Sequence, residues 1–132
     1  MGLEKERQKG SEVTIGVIDD DITSLDLVTF LIEKKGFSVR RFADGGAALI
    51  ETLQGNLPDL FLVDLMMPGI NGIETVKRMR KMGFDKIPII AFTALEDPEV
   101  HQDALDAGCN LVLTKPCPAE RLLRHINNFL TK

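Results

Sequence analysis

Chemically active side chains stand directly after several apolar runs of the chain. They belong to Asp19, Asp20, Asp21, Asp64, Thr93 and Lys115. Two carboxylates about 4 Å apart repel each other by roughly 4 kcal/mol at an effective dielectric constant near 20. The adjacent aspartates therefore need a reason, and three reasons are open: a solvated turn, a cation site that serves a nucleophile elsewhere, or a nucleophile within the triplet itself.

The metal-ligand atoms that this set offers are all oxygens. The set contains neither histidine nor cysteine, and oxygen ligands favour Mg²⁺ over Zn²⁺. Carboxylates, a hydroxyl and an ammonium together suit a small anion held by a hard cation, and such a cation would also relieve the repulsion between the carboxylates. A site of this kind forms only if the fold brings the separate segments together.

Strand-like and helix-like segments alternate along the chain. Apolar runs rich in β-branched residues predict strands at 13–18, 38–42, 59–64, 87–92 and 111–114. Amphipathic segments with capping residues predict helices at 24–36, 45–54, 71–83, 97–108 and 118–130. Strands that are each followed by a helix predict a doubly wound α/β fold with a parallel sheet.

The order of the strands decides whether the candidate residues meet. In a parallel sheet of order 2-1-3-4-5, strands one, three, four and five are neighbours, and ligands bind outside the carboxyl ends of such strands. Taken singly, an aspartate pair is typical of a helix cap, Thr93 of a turn and Lys115 of a solvated surface. Their placement at equivalent strand ends favours one shared pocket.

The segments VIDDD, FLVDLMMPGINGIE, IIAFTA and LVLTKP occur in this order and resemble the receiver domain of two-component response regulators. The resemblance extends over residues 13–130. It implies a flavodoxin-like α/β fold, with a five-stranded parallel sheet of order 2-1-3-4-5 and helices on both faces. It also implies that Asp64 is the phosphoacceptor, which takes a phosphoryl group from a phosphohistidine of a partner histidine kinase.

The same resemblance assigns roles to the other candidates. Mg²⁺ would be held by Asp19, Asp20, Asp64 and the backbone carbonyl of Met66, with Asp21 in an auxiliary role. Lys115, the hydroxyl of Thr93 and the backbone N–H of Ala94 would bind phosphoryl oxygens. The resemblance further implies a cis peptide bond before Pro116.

The implied function is a phosphorylation-dependent switch rather than a metabolic enzyme, since the chain would catalyse only its own phosphorylation and dephosphorylation. Its product would be a changed surface on the fourth helix, fifth strand and fifth helix, which contacts a downstream protein or output domain. Whether the chain also forms a homodimer is left open. Val112 stands where many receivers carry Tyr or Phe, and Cys117 stands where Phe often follows the Lys-Pro pair. The route by which phosphorylation changes this surface is therefore open.

Two other interpretations compete with this one. The spacing Asp19-x-Asp21-x-Thr23 resembles the opening signature of haloacid-dehalogenase-type phosphatases, with Asp19 as nucleophile and Asp21 as general acid. Such enzymes need acidic metal ligands late in the chain, where the sequence offers only Glu120, and Asp64 would have no role. The other alternative is a phosphorylation-independent binding module, against which the complete acceptor, metal and lysine set argues.

Four further residues carry weaker expectations. Met66 and Leu95 lie two positions after Asp64 and Thr93, where apolar side chains cannot orient an attacking water. We therefore predict slow self-dephosphorylation, although the two side chains could equally serve only to cover the pocket. His101 and His125 are expected to be partly exposed helix side chains.

Charge and composition argue against several function classes. The 132 residues include 16 Lys and Arg against 20 Asp and Glu, and the net charge of -4 argues against nucleic acid and anionic membrane as partners. No apolar run approaches the length of a membrane span. Cys109 and Cys117 form no disulfide framework, so we expect both to be reduced in a cytoplasmic protein. We predict one receiver domain at 13–132, preceded by a flexible tail at 1–12.

Overall fold

The structure is a computed structural model that describes residues 13–67 and 70–131. Strands and helices alternate along this part of the chain, as the sequence predicts. The elements are β1 (Thr14–Ile18), α1 (Ile22–Lys34), β2 (Ser38–Phe42), α2 (Gly45–Leu53), β3 (Leu60–Val63), α3 (Gly72–Lys81), β4 (Ile89–Thr93), α4 (Pro98–Ala107), β5 (Leu111–Thr114) and α5 (Ala119–Leu130). The predicted tail at 1–12 lies outside the described residues.

The strands form one parallel sheet of order β2-β1-β3-β4-β5, which confirms the predicted topology. The register pairs Ile18 of β1 with Val63 of β3, and Thr93 of β4 with Thr114 of β5. Because these paired residues are the last of their strands, the carboxyl ends of four neighbouring strands lie along one edge of the sheet. The residues that follow them are therefore brought to the same place.

Both faces of the sheet are buried, because successive side chains of a strand point to opposite sides. Every residue of β3 is buried: Phe61 and Val63 join the core on one face, and Leu60 and Leu62 join the core on the other. Helices α2, α3 and α4 cover the first face, whereas α1 and α5 cover the second. This arrangement confirms helices on both faces of the predicted fold.

Side-chain caps fix the starts of α1 to α4, and the cap of α1 explains where its predicted start was wrong. Helix α1 begins at Ile22 rather than at residue 24, because the Asp21 carboxylate accepts a hydrogen bond from the Thr23 backbone N–H. The predicted cap of α4 by Asp97 is confirmed, with Pro98 in the first turn. None of the helices in the described part of the chain is long and apolar enough to cross a bilayer.

Candidate functional site

The structure brings the acidic residues and the lysine together at the carboxyl edge of the sheet. The Lys115 Nζ lies 2.9 Å from Asp19 Oδ2 and 3.7 Å from Asp64 Oδ2. Carboxylate oxygens of Asp19, Asp20 and Asp64 lie within 4.8 Å of one another. Residues far apart in sequence therefore form one site, as the strand order requires. We call this group of Asp19, Asp20, Asp64 and Lys115 the mouth.

The sheet itself holds the three central residues of this mouth. The backbone N–H of Asp19 donates to the Phe42 carbonyl at 3.0 Å, and that of Asp64 donates to the Ile18 carbonyl at 2.9 Å. The backbone N–H of Lys115 donates to the Thr93 carbonyl at 2.7 Å. Each residue thus continues the hydrogen-bonding pattern just past the end of its strand, and its side chain leaves the sheet from a fixed position.

A glycine that the sequence analysis did not single out holds the backbone of Asp64 against α3. Gly72 is the first residue of α3, and its N–H donates to the Leu65 carbonyl at 3.3 Å. A Cβ atom at Gly72 would overlap the Asp64 carbonyl oxygen and come within 2.8 Å of the Leu65 Cα. Only glycine allows this close approach of helix and loop. The signal in the sequence was a glycine directly after the capping residue Asn71.

Asp19 is a buried carboxylate that the surrounding donors keep ionised. Its side chain accepts the Asp21 backbone N–H at 3.0 Å and the Lys115 ammonium at 2.9 Å. Burial raises the pKa of Asp19, but hydrogen bonds from the Asp21 backbone, Lys115 and Ser24 outweigh it, so the pKa lies below its usual range. Asp19 therefore carries its negative charge throughout the physiological range.

At Asp64, the effects that raise the pKa of the carboxyl outweigh those that lower it. Its Oδ1 accepts the Met66 backbone N–H at 3.2 Å, but the Lys115 ammonium stands beyond hydrogen-bond distance at 3.7 Å. Burial raises the pKa of Asp64, the Met66 N–H and Lys115 lower it, and the neighbouring Asp19 raises it again, so that the pKa lies above its usual range. The anionic form of Asp64 is the less well stabilised of the two central carboxylates.

The remaining predicted site residues occupy different positions. Thr93 is fully buried, and its Oγ1 accepts the Leu95 backbone N–H at 3.2 Å, so its hydroxyl hydrogen is left for another acceptor. Ala94 is exposed beside it. The Met66 side chain is exposed, and its backbone N–H donates to the Asp64 carboxylate.

Asp21 caps α1 and stands apart from the three clustered carboxylates. The predicted cis peptide bond between Lys115 and Pro116 is present.

A second residue that the sequence analysis missed touches the lysine directly. The Lys115 Nζ donates to Ser24 Oγ at 2.9 Å. Ser24 lies in the first turn of α1, immediately after the acidic triplet. A hydroxyl so close to the triplet was the available signal, but the sequence alone did not show that it faces Lys115.

The clustered carboxylates fit a small divalent cation. Mg²⁺ binds oxygens at 2.0–2.1 Å in octahedral geometry, so opposite ligands stand about 4.2 Å apart. The oxygens of Asp19, Asp20 and Asp64 already lie within 4.8 Å of one another, and Lys115 is the ammonium that balances them. Three carboxylates against one ammonium leave an excess of negative charge that a divalent cation would neutralise.

Comparison with known proteins agrees with this geometry. The response regulator receiver domain model matches residues 15–127. The chain is 34% identical over 119 residues to the DNA-binding dual master transcriptional regulator RpaA of Synechocystis, covering 88% of the chain and 48% of that protein. It is also 32% identical to an uncharacterized 14.6 kDa protein of Leptolyngbya boryana, covering 90% of the chain and 91% of that protein.

Solved structures show the same likeness. A putative response regulator from Chloroflexus aurantiacus superimposes with a TM-score of 0.86 at 32% identity, covering 92% of the chain and all of that structure. The chain spans about half the length of the first regulators that it matches in sequence. The family match over most of the chain, the sheet order and the shared acidic mouth lead to one conclusion: the chain belongs to the receiver domains of two-component response regulators.

Proposed function

We propose that residues 13–132 form a phosphorylation-dependent signalling switch, in which Asp64 accepts a phosphoryl group from a phosphohistidine of a histidine kinase. The observation that carries this proposal is the common mouth, where Asp64 lies beside Lys115 and within 4.8 Å of two further carboxylates. Phosphoryl transfer depends mainly on alignment and charge neutralisation, which is what this arrangement offers.

In the proposed transfer, a carboxylate oxygen of Asp64 attacks phosphorus in line with the departing imidazole. The new bond joins Asp64 to phosphorus while the bond from the histidine nitrogen to phosphorus breaks, and its electron pair stays on the imidazole. The Lys115 ammonium, 3.7 Å from the carboxylate, approaches a phosphoryl oxygen. The Thr93 hydroxyl and the Ala94 N–H are the proposed donors to the remaining oxygens.

The proposed metal site consists of side chains already grouped at this mouth and one backbone carbonyl. Asp19, Asp20, Asp64 and the Met66 carbonyl would hold Mg²⁺. When bound, Mg²⁺ neutralises phosphoryl oxygens and so lowers the repulsion between Asp64 and an anionic donor. The ionised state of Asp19 suits a metal ligand, because a protonated carboxyl binds Mg²⁺ poorly.

The proposed output of the switch is a changed surface on α4, β5 and α5 that binds a downstream protein or an output domain in the cytoplasm. Val112, in place of the usual aromatic residue, is half-buried and packs against the core that α2, α3 and α4 cover. Valine has no aromatic ring, so the proposed switch does not use a ring that turns inward at this position. The chain acts on itself alone in this proposal and converts no metabolite.

The phosphatase alternative lacks support in the geometry. Asp19, its nucleophile, is buried with its oxygens bound to the Asp21 N–H and to Lys115. Asp21, its general acid, caps α1. The receiver-like binding module without phosphorylation is the remaining alternative, and it is decided by experiment.

The test is phosphorylation by a small donor. The protein is incubated with acetyl phosphate and Mg²⁺ and its intact mass is measured, together with Asp64→Asn and the control Asp85→Asn, which alters an exposed aspartate away from the mouth. We expect one phosphoryl adduct on the wild type and on the control, and none on Asp64→Asn. An adduct that survives Asp64→Asn but is lost in Asp19→Asn would favour the phosphatase, and no adduct on the wild type would favour the binding module.

A further inference from the structure

We propose that Ser24 is a positioning residue for this phosphoryl transfer, which holds the Lys115 ammonium at the edge of the site with one hydrogen available for the phosphoryl group. The inference rests on the proposed function of Asp64. It concerns a contact of this chain's own residues, between the first turn of α1 and the residue that follows β5.

The Lys115 ammonium has three hydrogens to donate. Two of them have acceptors at 2.9 Å, the Oδ2 of Asp19 and the Oγ of Ser24. The next acceptor is Asp64 Oδ2 at 3.7 Å, which is too far for a hydrogen bond. The third hydrogen is therefore directed by the first two contacts, and an oxygen that extends outward from Asp64 would meet it.

Ser24 can direct the lysine because its own position is fixed. Its neighbour Leu25 is buried in the core, and the Leu25 N–H donates to the Asp21 carbonyl at 2.9 Å within the capped first turn of α1. Lysine, by contrast, has a flexible side chain that loses much rotamer freedom when it is ordered. The Phe92 ring, 5.2 Å from the ammonium, forms another wall of the site. The hydroxyl and the ring together restrict where the ammonium can stand.

The neutral character of the serine matters as much as its position. A hydroxyl holds the ammonium without neutralising its positive charge. A carboxylate in the place of Ser24, in addition to Asp19 and Asp64, would hold the ammonium and also neutralise it. The Ser24 hydroxyl and the Asp19 carboxylate hold the ammonium together, each at 2.9 Å. Without the hydroxyl, we expect the ammonium to move between Asp19 and Asp64 and to pair with the acceptor carboxylate itself. That pairing would hinder the approach of the phosphoryl donor.

The test compares rates of phosphorylation by acetyl phosphate in Mg²⁺. We expect Ser24→Ala to be slower than the wild type by roughly three- to tenfold, as for a modest loss of alignment. Ser24→Thr keeps a hydroxyl and is expected to restore most of the rate. Thr23→Ala removes an exposed hydroxyl from the same turn and serves as the matched control, with an unchanged rate.

A double-mutant cycle with Lys115→Ala separates positioning from a general structural effect. If Ser24 acts through the lysine, Ser24→Ala changes the rate in the wild-type background and leaves it unchanged in the Lys115→Ala background. Equal slowing in both backgrounds, or a wild-type rate for Ser24→Ala, would overturn the inference while leaving Asp64 as acceptor. The absence of any adduct on the wild-type protein would instead overturn the proposed function, and the inference with it.

Discussion

Two cationic side chains lie at opposite ends of the sheet and are used in opposite ways. Arg80, near the amino ends of β4 and β5, donates to the backbone carbonyls of Gly108, Phe84 and Ile87 and to the side chain of Asn110. Lys115, at the carboxyl edge, is shared among Asp19, Ser24 and the more distant Asp64. The acceptors of Arg80 are neutral oxygens, whereas those around Lys115 include two carboxylates.

The difference shows how the fold separates stability from reactivity. The planar guanidinium of Arg80 makes five hydrogen bonds and so joins the end of α4 to the loop between α3 and β4. The ammonium of Lys115 leaves one direction open toward Asp64. A cation with every donor in use fixes the backbone, whereas a cation with a donor to spare can respond to a new anion.

The largest expected effect is at Arg80. We predict that Arg80→Ala lowers the free energy of unfolding by about 3 kcal/mol, because it leaves several partly buried carbonyls without a donor. Arg80→Lys should recover only part of this loss, since an ammonium cannot reach all the acceptors of the planar fork. Urea unfolding measures the stability, and acetyl phosphate labelling at a temperature where the variant is folded measures the site. A stability change below about 1 kcal/mol, or a loss of labelling in the folded variant, would contradict the comparison.

A second prediction concerns charge at the carboxyl edge. Because the pKa of Asp64 is raised on folding, this group's contribution to stability is present in full below its ordinary value of 3.8 and is lost as the pH rises through the folded value. Asp64→Asn should therefore raise the free energy of unfolding at pH 7, because a neutral amide avoids the cost of a carboxylate that is 12% exposed and lies beside Asp19. The gain should disappear below pH 3.8, where the wild-type carboxyl is protonated in both states.

Asp19 provides the matched contrast in the same measurement. Its pKa is lowered on folding, so its contribution to stability is present above 3.8 and is lost as the pH falls through the folded value. Asp19→Asn should therefore destabilise the protein at pH 7, opposite in sign to Asp64→Asn. Urea unfolding of both variants across this pH range checks the pair, and changes of the same sign at pH 7 would be incompatible with it.

The sequence predicted the fold well, because periodicity and capping are local signals. The boundaries that it missed depended on partners elsewhere in the chain or on exposed residues. Ile22 belongs to α1 but is exposed, so it adds nothing to the buried stripe that begins at Leu25. The fourth strand was predicted from residue 87, yet the Ile87 carbonyl accepts from Arg80, and Pro88 has no N–H to give to a neighbouring strand. Strand β4 therefore begins at Ile89.

The sequence predicted the charged residues that the structure groups at the carboxyl edge, but it did not predict the contacts of the neutral residues Ser24 and Gly72. Asp19, Asp64 and Lys115 are visible because charge after an apolar strand is unusual. Ser24 and Gly72 are ordinary residues for the start of a helix, and their importance depends on which neighbour the helix turns toward. That direction is set by the packing of α1 and α3 on the sheet, which no local pattern in the sequence contains.

Another prediction concerns the lifetime of the phosphoryl group proposed for Asp64, at the carboxyl edge of the sheet. Met66 and Leu95 are apolar, whereas an amide or a carboxylate in their place could orient a water toward phosphorus. We expect Met66→Asn and Leu95→Glu each to speed the loss of phosphate from Asp64 by roughly three- to tenfold. Met66→Leu, which changes shape without adding a polar group, is the control. Phosphate release after removal of the donor measures the rate, and unchanged rates in both polar variants would mean that these side chains only cover the pocket.

The smallest expected effect lies in the loop between β4 and α4. His101, predicted as a partly exposed helix residue, is half-buried, and its Nε2 donates to the Leu95 carbonyl at 2.7 Å. This single contact, worth about 1 kcal/mol, ties α4 to the loop that follows Thr93 and carries Ala94.

We therefore expect His101→Ala to speed amide hydrogen exchange at residues 94–96 by about fivefold, because a loop with fewer restraints opens more often. His101→Gln retains a donor and should exchange at nearly the wild-type rate. The amides at 84–87, next to Arg80, should be unaffected. Five hydrogen bonds from Arg80 hold that end of the sheet, whereas the single contact of His101 holds the loop after β4. Equal acceleration at both ends would mean that His101 stabilises the domain as a whole and that the two edges do not differ in their restraint.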